Sequence, residues 1–336
     1  MASENMILEV HELCKVFTQK TKYTQKKVSL KAVDNVSFTL CEGETLGIIG
    51  ESGCGKSTLA RMILGITSLT SGEILYKGEP VTTHMKKEMR RNIQMIFQDP
   101  YSSIDPRMNV ERIIGEPLRV HTKKNKSERR KRVLEVMEIV GLPESALTKF
   151  PHEFSGGQRQ RIGIARALAL EPELILCDEP VSALDVSIQA QILNLFKKIQ
   201  QSMHLTSIFI THDMCVVKHV SDRIGVMYLG NLVELADKEE FFLNTLHPYS
   251  EALMNAIPIP DPFVEKDHSR ILEGEIPSPI NRPSGCPFRL RCKYATDRCA
   301  EEMPKLHSVS GNHFIACHKY DRKEEQEWEN TSSREF

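Results

Sequence analysis

Residues 50–57 read GESGCGKS, a G-x-x-x-x-G-K-S pattern between the apolar run TLGII and the segment LARMIL. Its glycines let the backbone turn N–H groups inward, and the N-terminus of a following helix favours phosphate. Lys56 would place its charge beside the β and γ phosphates, and Ser57 would ligate Mg²⁺. This segment, the phosphate loop, predicts nucleoside triphosphate binding by Gly50, Glu51, Ser52, Gly53, Cys54, Gly55, Lys56, Ser57 and Thr58.

Two adjacent acids end a second apolar run, in ELILCDEP at 173–180. Asp178 would hold Mg²⁺ through water. Glu179 would lie near the attacking water, as a general base or as the group that orients it. A simple turn before Pro180 is the alternative interpretation. Together with the phosphate loop, the two acids predict hydrolysis of a nucleoside triphosphate.

These residues need a sheet that brings several strand ends together. The runs TLGIIG, ELILC and TSIFI are typical of buried strands, and they alternate with helical segments such as QAQILNLFKKIQ. This alternation predicts a largely parallel sheet covered by helices on both faces. From about 86 to 150 the pattern is helical, and the apolar residues of RKRVLEVMEIV recur at helical spacing until Gly141.

The segment FSGGQRQRIGIARAL at 154–168 closely resembles the signature of ABC (ATP-binding cassette) ATPases, with Phe154 in place of the commoner leucine. Further motifs follow in family order, so the resemblance covers about residues 6–240. The resemblance implies these assignments: Phe17 as the aromatic that stacks on adenine, Gln98 of MIFQDP as a catalytic glutamine and Mg²⁺ ligand, Ser155, Gly156, Gly157 and Gln158 as the signature, Asp185 of the SALD motif, and His212 of ITHD as the switch histidine.

The ABC resemblance also implies a fold. We expect an α/β P-loop NTPase with a mostly parallel sheet core, an antiparallel β subdomain, a helical subdomain at about 95–170, and a small loop-rich C-terminal extension. In this family two ATPase chains sandwich two nucleotides, and the signature of one chain faces the γ-phosphate held by the other. The signature precedes a helix, whose N-terminus suits an anion.

The segments HPYSEALMNAIPIPDP at 247–262 and EGEIPSPINRPSGCPFRLRC at 273–292 resemble the C-terminal extension of oligopeptide and dipeptide importer ATPases. The form ESGCGKSTLARMILG is more similar to the F-type ATPase of that pair than to the D-type. The resulting division is an ABC ATPase domain at 1–245, the extension at 246–320 and a charged tail at 321–336.

This second resemblance implies a function and partners. An ATP-hydrolysing subunit of this kind powers uptake of di- or oligopeptides, as a heterodimer with a second ATPase. It sits on two membrane permease subunits at the cytoplasmic face of the cell membrane, and an extracytoplasmic peptide-binding protein acts with it indirectly. The alternatives are an ATPase of a nickel-chelate or other small-solute importer, or a soluble ABC ATPase.

Composition bears on these alternatives. The chain has 44 Lys and Arg against 45 Asp and Glu, a net charge of −1, which argues against a uniformly basic nucleic-acid binder. No apolar run approaches the ~18 residues of a spanning helix, and MASENMILEV lacks a secretory signal pattern. A single phosphate loop without sustained heptads disfavours the translation and DNA-repair ATPases. We therefore expect a peripheral subunit with no nucleic-acid partner.

Four of the nine cysteines lie near the C-terminus with the spacing C-x5-C-x6-C-x17-C: Cys286, Cys292, Cys299 and Cys317. This spacing lacks the close pairs that are usual at zinc sites, whereas four thiolates are the ligand set of an iron–sulfur cluster. The family resemblance likewise implies a 4Fe–4S cluster in the extension. Zinc, unliganded thiols and disulfides are the alternatives.

Overall fold

A computed structural model describes residues 5–20, 27–256 and 277–321 of the chain. Its strands are β1 (Met6–Lys20), β2 (Lys27–Cys41), β3 (Thr45–Ile49), β4 (Ser71–Tyr76), β5 (Glu79–Pro80), β6 (Ile93–Ile96), β7 (Leu174–Asp178), β8 (Thr206–Thr211), β9 (Arg223–Tyr228), β10 (Asn231–Asp237), β11 (His307–Ser310) and β12 (His313–Ile315). Its helices are α1 (Lys56–Ile63), α2 (Lys87–Asn92), α3 (Pro100–Ser103), α4 (Val110–His121), α5 (Lys126–Ile139), α6 (Gly156–Leu168), α7 (Val186–Met203), α8 (Met214–Val220), α9 (Lys238–Leu243), α10 (Pro248–Asn255) and α11 (Asp297–Glu301).

The main sheet has eight strands in the order β11-β12-β10-β9-β3-β8-β7-β6. The run β9-β3-β8-β7-β6 is parallel, which confirms the predicted parallel core. Every residue of β3 and β7 is buried, as their continuous apolar runs indicate. Because these strands run the same way, their carboxyl ends lie at one edge of the sheet. That edge places the phosphate loop, Asp178 and His212 together.

A second, antiparallel sheet has the order β2-β1-β4-β5 and confirms the predicted antiparallel β subdomain. It shares an apolar core with α1 and with the main sheet, and Leu8, Leu40, Leu59 and Ile48 are among its buried residues. Because α1 belongs to this core, the packing fixes the helix that follows the phosphate loop.

The helices α3 to α6 lie between β6 and β7 in the chain and form the predicted helical insertion. Helix α5 begins at a capping box: Asn125 accepts from the Glu128 N–H at 3.0 Å, and Glu128 accepts from the Asn125 N–H at 2.6 Å. Its buried residues are Val133, Val136 and Met137, on the face that the spacing predicted. Gly141 follows with a φ of 72°, in the left-handed region typical of a helix end.

The C-terminal residues continue the main sheet instead of forming loops alone. Strand β12 pairs antiparallel with β10, with Ile315 opposite Glu234, and β11 pairs with β12. The predicted divisions at 245/246 and 320/321 remain predictions, and residues 257–276 and 322–336, which hold most of the charged tail, lie outside the described residues. Within the described ranges, no helix has both the length and the apolar character to cross a membrane.

Candidate active site

The phosphate loop connects β3 to α1 and curls closely around neighbouring backbone. A Cβ at Gly50 would lie 2.2 Å from the carbonyl oxygen of Met227, and a Cβ at Gly55 would lie 2.2 Å from that of Ala32. Gly55 also has a φ of 108°, which disfavours any side chain. These two glycines are therefore required by the path of the chain, and the curl they allow is a cradle suited to phosphate.

Lys56 begins α1 and is only 5% exposed. Its ammonium group donates to the carbonyl oxygens of Gly50 and Glu51, at 2.6 Å and 3.1 Å. The charge therefore lies inside the curl of the loop. The sequence predicts that it contacts the β and γ phosphates there.

Ser57 and Asp178, two of the predicted Mg²⁺ ligands, are in contact. The Ser57 hydroxyl donates to Oδ1 of Asp178 at 3.0 Å. Burial raises the pKa of Asp178, and the hydrogen bond from Ser57 partly offsets that effect. A hydroxyl and a carboxylate are oxygen ligands of the kind that Mg²⁺ prefers, and a cation would favour the charged form of the buried carboxyl. These residues therefore fit a bound Mg²⁺.

Glu179 brings the three predicted catalytic residues together. Its Oε2 accepts from the side-chain amide of Gln98 at 3.0 Å, and its Oε1 lies 3.2 Å from Nδ1 of His212. Its backbone has a φ of 46°, and its N–H donates to the carbonyl of Ile210 at 2.9 Å. Such a left-handed conformation costs a non-glycine residue about 1–3 kcal/mol, and residues of this kind are enriched at functional sites. The carboxylate thus lies between the segments that follow β6 and β8.

The signature begins α6. Ser155 Oγ accepts from the Gln158 N–H at 3.4 Å, and Gln158 Oε1 accepts from the Ser155 N–H at 3.1 Å, so the two residues form a capping box. Gly156 and Gly157 form the first turn, where a Cβ on Gly157 would lie 2.4 Å from Cγ2 of Ile188. In the part of the chain that the structure describes, no hydrogen bond joins the signature to the phosphate loop. A role toward the nucleotide of a second chain stays a prediction.

The SALD motif lies between β7 and α7, and Asp185 is the N-cap residue of α7. Gln189, which the sequence analysis did not single out, donates to the carbonyls of Val181 and Leu184, each at 3.0 Å. This amide therefore fixes the SALD loop from the first turn of the helix. A long polar side chain four residues after an N-cap was the available signal.

Phe17 lies on β1, opposite Leu30 of β2. Phe17 is 37% exposed, and the ammonium of Lys15 lies 5.0 Å from the centre of its ring. The exposed face is available for stacking, and the predicted contact with adenine stays a prediction.

Two residues of the C-terminal extension reach the phosphate loop, and the sequence analysis missed both. Tyr249 accepts a hydrogen bond from the Glu51 N–H at 2.9 Å. Arg291 donates to both carboxylate oxygens of Glu51, at 2.9 Å and 3.1 Å. No sequence signal connects these residues to the loop, because 198 and 240 positions separate them from Glu51.

The prediction of a 4Fe–4S cluster, with zinc as the alternative, is wrong. The described residues include Cys286, Cys292, Cys299 and Cys317 as free thiols, and among them no group of three or more His, Cys, Asp or Glu side chains is placed to hold a metal ion. Cys286 and Cys292 instead pack against the apolar cluster that contains Phe288. Burial raises the pKa of Cys286 and of Cys317 to about 11. Burial therefore favours the neutral thiol at both positions.

Comparisons with known proteins place the chain in a family. Residues 33–182 match the model described as "ABC transporter", and residues 233–299 match "Oligopeptide/dipeptide transporter, C-terminal region". The oligopeptide transport ATP-binding protein OppF of Haemophilus influenzae is 52% identical over 325 residues, which cover 94% of this chain and 98% of that protein. OppF of Escherichia coli is 54% identical and covers 90% of this chain and 92% of that protein.

Solved structures confirm the predicted fold. The cbiO1 protein of Clostridium perfringens, part of the ABC transporter complex cbiONQ, has a TM-score of 0.62 at 30% identity, over 72% of this chain and 92% of that chain. A post-hydrolysis dimer of the ATP-binding cassette MJ0796, bound to ADP and Pi, has a TM-score of 0.61 at 30% identity, over 69% of this chain and 98% of that chain. The chain is therefore an ABC-type ATPase and belongs to the family of oligopeptide transport ATP-binding proteins.

Proposed function

We propose that this chain binds ATP with Mg²⁺ and hydrolyses it to drive the import of di- or oligopeptides through a membrane ABC importer. The observation that carries the chemistry is the convergence of Gln98 and His212 on Glu179. The substrate class is supported by the relatives, which are named oligopeptide transport proteins, and by the matched C-terminal region.

Each part of the site has a distinct task in this proposal. The backbone of residues 50–58 and the Lys56 ammonium bind the phosphates, and Phe17 stacks on adenine. Mg²⁺ held by Ser57, Asp178 and the amide oxygen of Gln98 would neutralise charge on the phosphate oxygens.

The hydrolytic step is assigned to two side chains. Glu179 accepts a proton from the water that attacks the γ-phosphorus, or orients that water, while the bond to the ADP oxygen breaks. His212, beside Glu179, donates to a γ-phosphate oxygen. The contact between Glu179 and His212 keeps the base and the donor on the same side of the nucleotide.

The proposed assembly is a heterodimer with a second ATPase chain at the cytoplasmic face of the membrane. Ser155, Gly156, Gly157, Gln158 and Asp185 would face the partner's nucleotide, and two permease subunits would receive the helical subdomain at about 95–170. A peptide-binding protein would deliver substrate from the other side of the membrane. The dimeric arrangement of the MJ0796 cassette supports a two-chain site.

Transport by the reconstituted complex tests the proposal. The chain is co-expressed with two permease subunits and a second ATPase, the complex is placed in vesicles that contain ATP, and the peptide-binding protein is added outside. We expect uptake of labelled tri- to pentapeptides, and we expect the Lys56→Ala complex to lose both ATP binding and uptake. ATP hydrolysis without peptide uptake, but with uptake of a nickel chelate, would contradict the substrate class and leave the ATPase assignment intact.

A further inference from the structure

Glu51 is held at two points by the C-terminal extension. Its backbone N–H donates to the hydroxyl of Tyr249 at 2.9 Å. Its carboxylate accepts two parallel hydrogen bonds from the guanidinium of Arg291, at 2.9 Å and 3.1 Å. A bidentate pair of this kind fixes direction as well as distance. We call these two contacts the loop clamp.

The clamp is rigidly supported. The Arg291 side chain is 6% exposed and the Glu51 side chain 22% exposed. The rings of Tyr228, Tyr249 and Phe288 pack on one another, with centroid distances of 4.7–5.4 Å, and the Arg291 guanidinium lies 6.0 Å from the centre of the Tyr228 ring. Because the arginine is shielded from water, loss of its partner would leave a buried charge unpaired, which is costly.

The loop clamp acts on Glu51, the residue at which the phosphate loop begins to turn. On one side of Glu51 its N–H is bound by Tyr249, and on the other side its carbonyl accepts from the Lys56 ammonium at 3.1 Å. The same carbonyl accepts from the Cys54 N–H at 3.3 Å. The orientation of the inward N–H groups therefore depends on Glu51 staying in place.

We propose that Arg291 and Tyr249 are positioning residues, which hold Glu51 and thereby keep the phosphate loop in its nucleotide-binding form. The C-terminal extension then sets the ATP affinity of a loop that lies in another part of the sequence. This proposal rests on the assignment of residues 50–58 as the ATP site.

The test is a set of full-length variants measured by calorimetric titration with Mg²⁺–ATP and by thermal unfolding. Arg291→Met should raise the Kd for ATP about tenfold, the effect of losing one charge-assisted contact. Arg291→Lys keeps a charge without the two-pronged geometry and should fall between the wild type and Arg291→Met. Tyr249→Phe removes only the hydroxyl and should raise Kd about threefold while the aromatic packing stays.

The control is another ion pair between the extension and the core. Arg282 donates to Asp34 at 3.0 Å and to the carbonyl of Lys31, both on β2, and its side chain is 15% exposed. Arg282→Met therefore loosens the extension without touching Glu51, and it should leave Kd within about twofold of wild type.

Two further readouts separate positioning from general stability. In the assembled transporter, Arg291→Met should raise KM for ATP while kcat at saturating ATP stays within about twofold, because the ground state and the transition state lose the same binding energy. Glu51→Gln combined with Arg291→Met should bind ATP no more weakly than Arg291→Met alone, since the two residues act through one interaction.

The outcomes distinguish a failure of the loop clamp from a failure of the proposed ATP site. An unchanged Kd in Arg291→Met, or an equal rise in Arg291→Met and Arg282→Met, would overturn the loop clamp. If Arg291→Met does not fold, Arg291→Lys and Tyr249→Phe carry the same comparison. Failure of the proposed ATP site is a different result: the wild-type chain would not bind ATP, or Lys56→Ala would bind it as well as wild type.

Discussion

At the scale of the residue, the arrangement around Glu179 suits its carboxylate to the proposed role of general base. Gln98 and His212 each hold one of its oxygens, so the side chain has a fixed direction before any nucleotide binds. Positioning is the main task of a protein in phosphoryl transfer, because the reaction needs little covalent help. The strained backbone at Glu179 is consistent with that task.

Glu179→Gln should retain ATP binding and lose turnover. The amide has nearly the same shape but cannot accept a proton, so kcat of the assembled complex should fall at least about 100-fold, while Kd for ATP stays within about twofold. A suitable control is Glu171→Gln, because Glu171 also has a left-handed φ, of 54°, and its side chain, which pairs with Arg132, is 54% exposed. Wild-type turnover in Glu179→Gln would show that another group activates the water.

Residues that directly follow an apolar strand were predictable. The phosphate loop directly follows β3, and Asp178 and Glu179 directly follow the apolar part of β7, so strand direction alone brings them to one edge. The cysteines show the opposite case. Their spacing is equally compatible with ligands and with half-buried thiols, and the two were distinguished only by the structure, whose described residues place no group of three or more His, Cys, Asp or Glu side chains to hold a metal ion.

At the scale of the element, the contact between α6 and α7 depends on a glycine. A Cβ on Gly157 would lie 2.4 Å from Ile188, whereas a Cβ on Gly163 of the same helix would meet nothing within 4 Å. Gly157→Ala should therefore destabilise the chain by about 1–3 kcal/mol. Gly163→Ala should instead be neutral or stabilising, by up to about 1 kcal/mol, because alanine favours a helix.

Denaturant unfolding of both variants checks this prediction. Gly157→Ala combined with Ile188→Ala should recover part of the lost free energy of unfolding, since the obstructing methyl group is removed. Equal stability of Gly157→Ala and Gly163→Ala would mean that the helices separate without cost.

The junction of β10 and β12 should make stability depend on pH. His313 Nε2 lies 2.8 Å from Oε1 of Glu234, and both side chains are fully buried. Burial opposes the charge on His313, but Glu234 and Glu240 outweigh burial and raise its pKa above 6.5. The ion pair between protonated His313 and Glu234 therefore contributes its full stabilisation below pH 6.5. This contribution is lost as pH rises through the raised pKa of His313.

Free energies of unfolding at pH 6 and pH 9 test the junction. The free energy of unfolding of the wild type should exceed that of His313→Gln by more at pH 6 than at pH 9. Glutamine is a suitable replacement because its amide still donates to Glu234, which also accepts from the N–H groups of Leu246 and His247. A difference that does not vary with pH would contradict a charged pair.

Strands β11 and β12 were not predictable from their own residues. HSVS and HFI are short, and eight prolines between 248 and 287 give the preceding segment a loop-like composition. These strands form because β10 offers an open edge, and the residues of β11 and β12 do not themselves indicate that edge.

At the scale of the whole molecule, the signature should matter only after assembly. Gly156→Asp places a carboxylate on the first turn of α6, where the helix tolerates a negative charge but a γ-phosphate would be repelled. ATPase activity of the assembled complex should fall by about 100-fold or more, while the isolated chain binds ATP normally. Asparagine has the size of aspartate without its charge, so the Gly156→Asn complex should lose much less ATPase activity.

Measurement of ATPase rates against the concentration of the second ATPase tests this prediction. The rate of the wild-type chain should rise with the partner until the two are equimolar. Full activity of this chain alone, or equal losses in the two Gly156 variants, would contradict a shared site.

The contact between Glu51 and Arg291 can form only late in the synthesis of the chain. The two residues are 240 positions apart, so at a synthesis rate of about 5–20 residues per second the arginine follows the glutamate by about 12–48 s. During that interval β3, the loop and α1 have already left the ribosome, yet Glu51 lacks the guanidinium that holds it. A chain released early would carry every residue of the nucleotide motif and still present a loosened loop. Under the proposed loop clamp, tight ATP binding would therefore require a chain that has been synthesised through its extension.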